Sequence, residues 1–378
     1  MYPTNTDRAA VEIDEEALGQ NYRRLHAFAT AHSQSRSVRT IAVVKANAYG
    51  HGFFHTVLPL LKAGCRFFAV ATLGEALAVR RYAPTAAILI LGYTAPQRAP
   101  VLAAHDLTQT VFSREYAAWL SHYAVRAACR VKVHFKVDIG MCRLGFAATD
   151  TAAILQAASL PHLIPCGLFS HFPCADHDLT ATRVAFLRFL ACRNALRAEG
   201  LSLFSHAAAS AALLALPDTA LDGVRIGLAL YGIPPVKTAL PLTPTLTLTA
   251  PVVQIRRVAA GTPVGYGGAF VTKRPSKIGI LPIGYGDGLR RDFENAVGGV
   301  RFYCRNMPFF APIAGHICMD MTAVDLTNTP VTLGDRATVF SDPRPVATAL
   351  HTIPWEVLTA LHPRIPRKRR TKSAGLLL

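Results

Sequence analysis

The chain has 378 residues, of which 51% are hydrophobic, and it carries a formal net charge of +17. This length allows two domains with a large core, and no uninterrupted apolar run approaches the roughly 18 residues that span a bilayer. The first residues, Met1–Thr4, lack the apolar core of a signal peptide, and acidic residues follow from Glu12 onward. We therefore expect a cytoplasmic protein with no membrane partner.

The cysteines and the positive charge exclude further classes of protein. The eight cysteines are scattered without Cys-x-x-Cys spacing, so the sequence predicts neither a metal site nor a disulfide framework. The net charge alone would be compatible with nucleic-acid binding. The one dense basic run, Arg364–Lys372, has no nucleic-acid motif beside it. We therefore expect a basic surface that attracts small anions and no nucleic-acid partner.

Strand-like apolar runs recur at intervals of roughly 20 to 40 residues as far as residue 230. The eight runs are Ile41–Val44, Phe67–Ala71, Ala87–Leu91, Leu107–Phe112, Val131–Val137, Leu163–Phe169, Leu203–Ser205 and Gly223–Ile226. Segments with helical spacing lie between them, among them Gly74–Arg81, Thr149–Ala158 and Thr182–Glu199. This alternation predicts an α/β protein with a closed (β/α)8 TIM barrel. An open doubly wound sheet is the alternative, but the glycine fingerprint that usually follows its first strand is missing.

The first predicted strand leads directly into a lysine and a loop of small residues, in the stretch VVKANAYGHG. Low polarity at the end of a buried strand would lower the pKa of Lys45. A neutral lysine amine is a nucleophile that can form an imine with an aldehyde. An isolated lysine would be interpreted as an ordinary surface residue, so the interpretation depends on the other strand ends.

Other polar residues occupy the C-terminal ends of the later strands, where barrel enzymes place their active sites. The fifth strand alternates so that His134, Lys136 and Asp138 point into the barrel, and Arg143 follows in the next loop. The ends of the last three strands carry His171, His206, Ser210, Arg225 and Gly227. Barrels often bind phosphate after strands seven and eight, which suits the Ser210 hydroxyl and the Gly227 backbone.

A proline-rich stretch, Pro234–Pro244, cannot continue a helix and marks a domain boundary. We predict a barrel domain over residues 1–238 and a mainly antiparallel β domain over residues 239–378. The predicted strands of the second domain are Thr245–Val258, Lys277–Pro282, Arg301–Tyr303, Met319–Asp325 and Ala337–Phe340. One helix near Pro354–Ala360 is expected to close this domain.

Over nearly its whole length the sequence resembles the bacterial alanine racemases, which are pyridoxal-phosphate enzymes with a barrel domain and a β domain. The motifs VVKANAYGHG, KVDIGMCRLG, SHFPCAD, RIGLALYG, GYGGAF, PIGYGDG and GHICMDM stand in the family's order and at its spacing. The resemblance implies an isomerase that interconverts L- and D-alanine and supplies D-alanine for cell-wall peptidoglycan. It also implies a homodimer with shared active sites.

The resemblance assigns roles to individual residues. Lys45 corresponds to the lysine that holds pyridoxal 5'-phosphate as an imine. Racemisation needs a base on each face of the α-carbon, and the family's pattern implies Lys45 on one face and Tyr266 on the other. The further cofactor-binding positions that it implies are Tyr49, Arg143, His171, His206, Ser210, Arg225, Gly227 and Leu228. Of these, Tyr49, Ser210, Gly227 and the backbone of Leu228 match phosphate-binding positions. The implied substrate-binding positions are Arg143, Met319 and Asp320, and Tyr266, Met319 and Asp320 are expected to reach into the partner's site.

The resemblance also gives expectations for the cofactor's surroundings. Arg225 matches the arginine that faces the pyridine nitrogen, and an arginine cannot give that nitrogen a full proton. The ring is then a weaker electron sink, which limits side reactions such as transamination. Lys136 matches a lysine that can carry a carbamate, and His171 is expected to tune Tyr266.

Three positions depart from the family's usual pattern. Trp355 stands where a tyrosine usually donates to the phosphate, and His316 stands where an arginine is more usual. Cys142 replaces a glycine in the loop before Arg143. These changes affect phosphate binding, access of the substrate and loop geometry, but neither proposed base.

Four alternatives remain open to test. A related pyridoxal-phosphate racemase could prefer serine or a broader set of amino acids. A decarboxylase of the same fold would be expected to carry a cysteine-aspartate-glutamate cluster, which we do not find. A cofactor carrier without catalysis would lack the second domain. A nucleic-acid-binding module would rest on charge alone and would bind with an affinity that falls steeply with salt.

Overall fold

The structure is a computed structural model that describes residues 8–33 and 37–370. The chain forms two compact units that are interleaved in sequence. The first, which we call the barrel unit, consists of residues 16–48 and 56–243. The second, the β unit, contains the described residues 8–15, 49–55 and 244–370.

Eight parallel strands form the barrel unit, and the first seven of them pair in chain order. They are Arg39–Val43, Phe67–Val70, Ala87–Ile90, Thr108–Val111, Val131–Asp138, Leu163–Phe169, Phe204–His206 and Gly223–Ile226. The eighth strand pairs with the first, and backbone bonds from Asp222 to Ser205 and from Arg225 to Ala208 join it to the seventh. The eight predicted strands are thus confirmed, each within two residues of its expected bounds, as is the predicted fold class.

Helices alternate with these strands along the chain. The α-helices up to residue 243 are Glu15–His32, Phe54–Lys62, Leu73–Tyr82, Ala99–Ala104, Arg114–Arg126, Thr151–Ala158, Leu179–Ala198 and Ser210–Ala215, with 3-10 turns at Pro96–Arg98, Pro217–Thr219 and Leu228–Tyr231. Several of them begin at a side-chain cap that accepts a bond from the first turn. The capping residues are Thr72, Ser113, Asp150 and Asp178.

The barrel interior is filled by side chains from its strands. His134 on the fifth strand lies opposite Gly167 on the sixth, and a Cβ on Gly167 would overlap the imidazole ring. Because glycine leaves this space, a complete imidazole fits inside the barrel, where it is 4% exposed. The barrel core is therefore polar at its centre, near the strand ends that carry the functional residues.

The β unit is built from three sheets. A six-stranded sheet contains, in spatial order, Met307–Pro312, Gly299–Cys304, Arg336–Phe340, Leu246–Pro251, Ala10–Ile13 and Arg367–Arg369. A three-stranded sheet contains Gln254–Val258, Ser276–Leu281 and Thr322–Asp325, and a small hairpin pairs Pro263–Val264 with Phe270–Val271. The helices and 3-10 turns are Tyr266–Gly268, Tyr285–Asp287, Phe293–Ala296, Pro343–Ala349 and Pro354–Thr359.

The β unit differs from the sequence prediction in several elements, and two of the differences concern the strand Leu246–Pro251. The predicted single strand Thr245–Val258 is wrong, because the chain leaves one sheet after Pro251 and enters another at Gln254. The strand Ala10–Ile13, which the sequence did not predict, pairs antiparallel with Leu246–Pro251. This pairing is why the units are interleaved. The predicted division into residues 1–238 and 239–378 therefore stays a prediction.

Described residues of the basic run near the C-terminus contact acidic groups inside the β unit, whereas Lys372 lies outside the described residues. Arg364 contacts the Asp287 carboxylate at 2.6 Å and the Asp320 carboxylate at 2.8 Å. Arg370 lies 3.6 Å from Asp14. These ion pairs give the basic run a structural role that does not require nucleic acid. Among the described residues, no helix is long and apolar enough to cross a bilayer.

Candidate active site

The first barrel strand ends in a left-handed turn that begins with Lys45. Residues 46–49 have φ angles of 53°, 51°, 56° and 51°, and this conformation costs about 1–2 kcal/mol for each L-residue. Two bonds hold the turn: the Ala48 N–H donates to the Val44 carbonyl at 2.9 Å, and the Ala46 N–H donates to the Glu75 carboxylate at 2.6 Å. Backbone strain of this kind persists only where its surroundings fix it, and it clusters at functional sites.

The surroundings of Lys45 favour the neutral form of its amine. Desolvation at the end of the barrel lowers its pKa, and the positive charges of Arg143 and Arg225 lower it further, while Glu75 opposes them. The side chain nevertheless keeps solvent-exposed surface, so a ligand can reach it. A reachable amine that loses its proton readily can act as a nucleophile or as a base.

Arg225 is almost fully buried at the end of the eighth strand, and its guanidinium is held by several acceptors. One terminal nitrogen donates to His206 Nδ1 at 2.8 Å and to the His206 carbonyl at 3.0 Å. The other donates to the carbonyls of Ser170 at 2.6 Å and Ala207 at 2.9 Å, and to His171 Nδ1 at 3.2 Å. Burial lowers the pKa of Arg225 to about 9, so the guanidinium is still protonated at neutral pH.

These contacts fix the tautomers of the neighbouring histidines. Because the Arg225 guanidinium can only donate, the Nδ1 atoms of His171 and His206 accept, and their protons lie on Nε2. The Nε2 atom of His206 then donates to His134 Nδ1 at 3.1 Å. Burial, together with the charge of Arg225, lowers the pKa of His171 and of His134 to about 3 and that of His206 well below its ordinary value. The network therefore carries one positive charge among three neutral imidazoles.

Lys136 adds a further basic group to this end of the barrel. Its side chain is buried, and burial, followed by the charges of Arg143, Arg225 and Lys45, lowers its pKa to about 8 against the opposing charge of Asp138. Basic groups gathered at one end of the barrel create a positive potential that favours anionic ligands. The site is therefore suited to a small molecule that carries negative charge.

The loop that carries Arg143 is held by a single carboxylate. Asp138 accepts the backbone N–H groups of Gly140 at 2.8 Å, Met141 at 2.9 Å and Arg143 at 3.1 Å. Burial would raise the pKa of Asp138, but bonds from the backbone, including that of Cys142, lower it overall. Cys142 has a φ of 52°, the conformation that a glycine adopts most easily. Cysteine in place of glycine at position 142 therefore keeps the loop geometry, but its backbone is strained.

Two short helical segments begin beside each other after the seventh and eighth strands. Ser210 is the first residue of one, and its hydroxyl oxygen accepts the backbone N–H of Gly227 at 3.0 Å. Leu228 is the first residue of the 3-10 turn that follows Gly227. The first N–H groups of a helical segment have no acceptor within it, and they point toward negative charge. The phosphate site that was predicted from the sequence at these two segments stays a prediction.

The other predicted site residues belong to the β unit. Burial raises the pKa of Tyr49 to about 12, so its phenol remains a proton donor at neutral pH. Tyr266 is 74% exposed, and Met319 is 55% exposed. The Asp320 carboxylate is bound by Arg364, so Asp320 acts as a loop anchor within this unit. The structure thus places Tyr266, Met319 and Asp320 on a different unit from Lys45.

Three loops of the β unit pack against each other and present exposed apolar side chains. A Cβ on Gly315 would overlap the Val264 carbonyl, and a Cβ on Gly284 would overlap the Cys318 carbonyl, so the loops meet at glycines. The exposed side chains on these loops are Tyr266, Tyr285, Met319 and Met321. Exposed apolar groups gathered on adjoining loops mark an interaction surface more often than scattered ones do.

Two of the sequence departures also lie in the β unit. The imidazole Nδ1 of His316 lies 2.6 Å from the Glu294 carboxylate, which also accepts the Ile317 N–H at 2.6 Å. This acceptor holds the segment that leads to Met319. Trp355 lies in the first turn of the helix Pro354–Thr359 and is 38% exposed.

The sequence analysis missed several residues that shape the site. It gave no role to Glu75, although Thr72 and Glu75 have the spacing of a capping box at a helix start. It placed His134 in the barrel but did not connect it to Arg225. It also missed Phe169, whose ring stacks on His206 with 5.0 Å between the ring centres. Of these three features, only the capping box leaves a recognisable pattern in the sequence.

The fold and the site define a barrel enzyme with a lysine of lowered pKa after its first strand, a buried arginine at the end of its last, and a second unit rich in β-structure. Within that class, the chain belongs to the alanine racemase family, and it is therefore an isomerase. The family models described as the N-terminal and C-terminal domains of alanine racemase match residues 13–235 and 245–369. The predicted family and enzyme class are thus confirmed.

Individual relatives support this assignment along the whole chain. The chain is 36% identical to alanine racemase 2 of Caldanaerobacter subterraneus subsp. tengcongensis, with 94% of this chain and 93% of that protein covered. It is 37% identical to an alanine racemase of Clostridium perfringens, with 94% of each covered. The alanine racemase structure from E. faecalis superposes with a TM-score of 0.86 at 30% identity, covering 98% of this chain and 100% of the other. The Bacillus anthracis alanine racemase with bound L-Ala-P gives a TM-score of 0.86 at 30% identity, with 95% and 94% covered.

Proposed function

We propose that the chain is a pyridoxal-phosphate-dependent racemase that interconverts L- and D-alanine by a two-base mechanism. The observation that carries this proposal is the exposed Lys45 amine, whose pKa is lowered at a barrel end rich in positive charge. When bound, pyridoxal 5'-phosphate would supply an aldehyde for the lysine and a ring that withdraws electrons from the substrate's α-carbon.

The residues present fit this cofactor at each of its ends. The Lys45 amine suits the aldehyde, and the helical starts at Ser210 and Leu228 suit a phosphate dianion. The buried Arg225 suits the pyridine nitrogen. Its two terminal nitrogens are held by histidines and carbonyls, which fixes the position of the guanidinium. The residues that we propose to hold the cofactor are Lys45, Tyr49, Arg143, His171, His206, Ser210, Arg225, Gly227 and Leu228.

Arg225 would set the electronic character of the cofactor ring. It remains protonated at neutral pH and has no proton to give away fully, so it offers a hydrogen bond and a positive charge only. Its bonds to His171 and His206 fix the plane of the guanidinium. Arg225 held in this way would keep the electron withdrawal of the ring moderate, which would favour return of the proton to the α-carbon over side reactions.

We assign the two bases to Lys45 and to Tyr266 of the partner subunit, one on each face of the α-carbon. Support comes from the exposure of Tyr266 at the tip of a glycine-flanked turn. His171 would tune Tyr266, because its Nε2 proton can be donated to the phenol oxygen. Arg143, with Met319 and Asp320 of the partner subunit, would bind the substrate.

A homodimer with shared sites follows from this assignment, and the exposed loops around Tyr266 and Met319 support it. The product D-alanine would serve cell-wall peptidoglycan, and we place the enzyme in the cytoplasm. Its partners are then its small amino-acid substrate and a second copy of itself, with no role for nucleic acid or membrane.

A racemisation assay on L-alanine and L-serine with added pyridoxal phosphate tests the proposal. We expect D-alanine to form with a higher kcat/KM than D-serine. Faster turnover of serine would favour the alternative of a racemase with a different or broader amino-acid preference. Failure to convert either amino acid, in protein that has bound the cofactor, would contradict the proposal.

Complementation tests the shared site. We expect Lys45→Ala and Tyr266→Phe homodimers to be inactive, and mixed dimers to regain activity because one of their two sites is intact. The control is a mixture of either variant with itself. No recovery in verified mixed dimers would show that each site is built within one chain.

A further inference from the structure

Arg367 binds two segments of the β unit together through backbone carbonyls. Its Nε atom donates to the Gly50 carbonyl at 2.9 Å. Its terminal nitrogens donate to the carbonyls of His362 at 2.7 Å, Ile365 at 2.6 Å and Leu361 at 2.9 Å. One guanidinium therefore links the loop after the left-handed turn to the chain that follows the helix Pro354–Thr359.

Two further restraints hold the same loop. The Nδ1–H of His51 donates to the Tyr49 carbonyl at 3.0 Å, so in the neutral ring Nε2 accepts the Thr245 hydroxyl at 2.8 Å. His51 is fully buried. Gly50 packs so closely on the helix that a Cβ would overlap the Leu358 carbonyl. The loop is therefore fixed both to the helix and to the sheet of the β unit.

The two segments that Arg367 joins carry Tyr49, which we propose to hold the cofactor, and Trp355, which stands where a tyrosine usually donates to the phosphate. Tyr49 precedes Gly50, and Trp355 lies one turn before Leu358 on the helix. The phenol of Tyr49 and the indole of Trp355 can serve the same phosphate only if these two backbones keep a fixed spacing. The guanidinium of Arg367 spans that spacing directly.

We propose that Arg367, with His51, is a positioning residue for the phosphate end of the cofactor site. This inference rests on the proposed function, in which Tyr49 contacts the phosphate. Arg367 does not touch the cofactor itself; it sets the distance between the Tyr49 loop and the Trp355 helix. Loss of the bridge is therefore expected to weaken recognition of the phosphate more than recognition of the pyridine ring.

Arginine is suited to this task for a geometric reason. Its planar fork presents five donors in fixed directions, whereas a lysine ammonium offers three donors from one point. Four carbonyls on two segments cannot converge on one ammonium without moving the backbone. Desolvation lowers the pKa of Arg367, and its four carbonyl acceptors satisfy donors of the half-buried guanidinium.

The test compares affinities of the cofactor-free protein for pyridoxal 5'-phosphate and for pyridoxal, which lacks the phosphate. Wild type, Arg367→Lys and Arg367→Met are measured by absorbance titration, alongside thermal unfolding of each. We expect the preference for the phosphorylated compound to fall by about tenfold in Arg367→Met, which corresponds to about 1.4 kcal/mol. Arg367→Lys should show a smaller fall, since it keeps the charge and part of the bridge.

Arg80 provides a matched control in the barrel unit. It donates to five backbone carbonyls, those of Ala83, Pro84, Ala86, His105 and Asp106. These residues precede the third and fourth strands, at the end of the barrel opposite to Lys45. We expect Arg80→Lys to lower the unfolding temperature as Arg367→Lys does, while the preference for the phosphorylated compound stays unchanged.

If Arg367→Met fails to fold, Thr245→Val provides a second variant that tests the same inference. It removes the hydroxyl that binds His51 without changing side-chain shape, and it should also reduce the preference for the phosphorylated compound. An unchanged preference in folded Arg367→Lys and Thr245→Val would overturn the inference. If wild type itself binds neither compound, the proposed function fails instead, so the two failures are distinguishable.

Discussion

The Asp138 carboxylate offers a direct test of how the Arg143 loop is held. Asp138→Asn keeps the shape of the side chain but leaves one acceptor oxygen in place of two. The bonds from Gly140 and Met141 share Oδ1 and can persist on the amide oxygen. The Arg143 N–H donates to Oδ2, which becomes an NH2 group in the variant, so this bond is lost.

The size of the effect follows from that single bond. A hydrogen bond to a charged group contributes about 1.5–3 kcal/mol. Because Asp138 is partly exposed to water, the lower part of this range applies, and we expect unfolding to become easier by about 2 kcal/mol. The loosened loop carries Arg143, so kcat/KM for alanine should fall by about tenfold, the factor that corresponds to 1.36 kcal/mol in the barrier.

The pH dependence of this difference has a defined sign. The pKa of Asp138 is lower in the folded chain than in a free side chain. Its contribution is therefore complete above the ordinary aspartate pKa and is lost as the pH falls through the lower folded value. The stability difference between wild type and Asp138→Asn should be constant at neutral pH and shrink at strongly acidic pH.

Urea unfolding at several pH values, with steady-state kinetics at neutral pH, measures both effects. Asp178→Asn is a matched control, because Asp178 caps a helix through one bond to the Ala181 N–H and asparagine caps equally well. The control should change neither stability nor kinetics by much. Equal stability of Asp138→Asn and wild type at pH 7 would refute the reasoning.

Three further predictions concern single residues of the site. Cys142→Gly should stabilise the chain by up to about 1 kcal/mol, because the positive φ of 52° suits glycine; lower stability in urea unfolding would show that the cysteine side chain outweighs its backbone strain. Trp355→Tyr should tighten cofactor binding by up to about tenfold by restoring a hydroxyl donor; unchanged or weaker binding would mean that the indole already supplies the donor. Lys136, whose pKa is about 8, should carry a carbamate that pairs with Arg143. With labelled bicarbonate, a 13C NMR carbamate signal should appear in wild type and vanish in Lys136→Ala. Absence of the signal from wild type would contradict the assignment.

The barrel could be predicted from the sequence because its strands are local and nearly continuous in apolar residues. The run Leu163–Phe169 was predicted to the residue, and the ends of such strands correctly located Lys45 and Arg225 at one end of the barrel. Parallel strands buried on both faces leave a strong signal of this kind. The position of each strand end then follows from the fold class.

Other features leave no local signal. The left-handed turn at residues 46–49 contains no glycine, so propensity argues against the conformation that the structure shows. The pairing of Ala10–Ile13 with Leu246–Pro251 joins distant parts of the chain. The Arg367 bridge ends on backbone carbonyls, which every residue has, so no sequence pattern marks its partners.

The central claim is that two bases, Lys45 and Tyr266 of the partner subunit, act on opposite faces of the α-carbon. Exchange of the α-proton in D2O, followed by NMR separately for L- and D-alanine, tests it most directly. In cofactor-loaded Tyr266→Phe, one enantiomer should still exchange its α-proton while the other does not, because only the face served by Lys45 keeps its base. Exchange of both enantiomers at wild-type rates in that variant would contradict the two-base account.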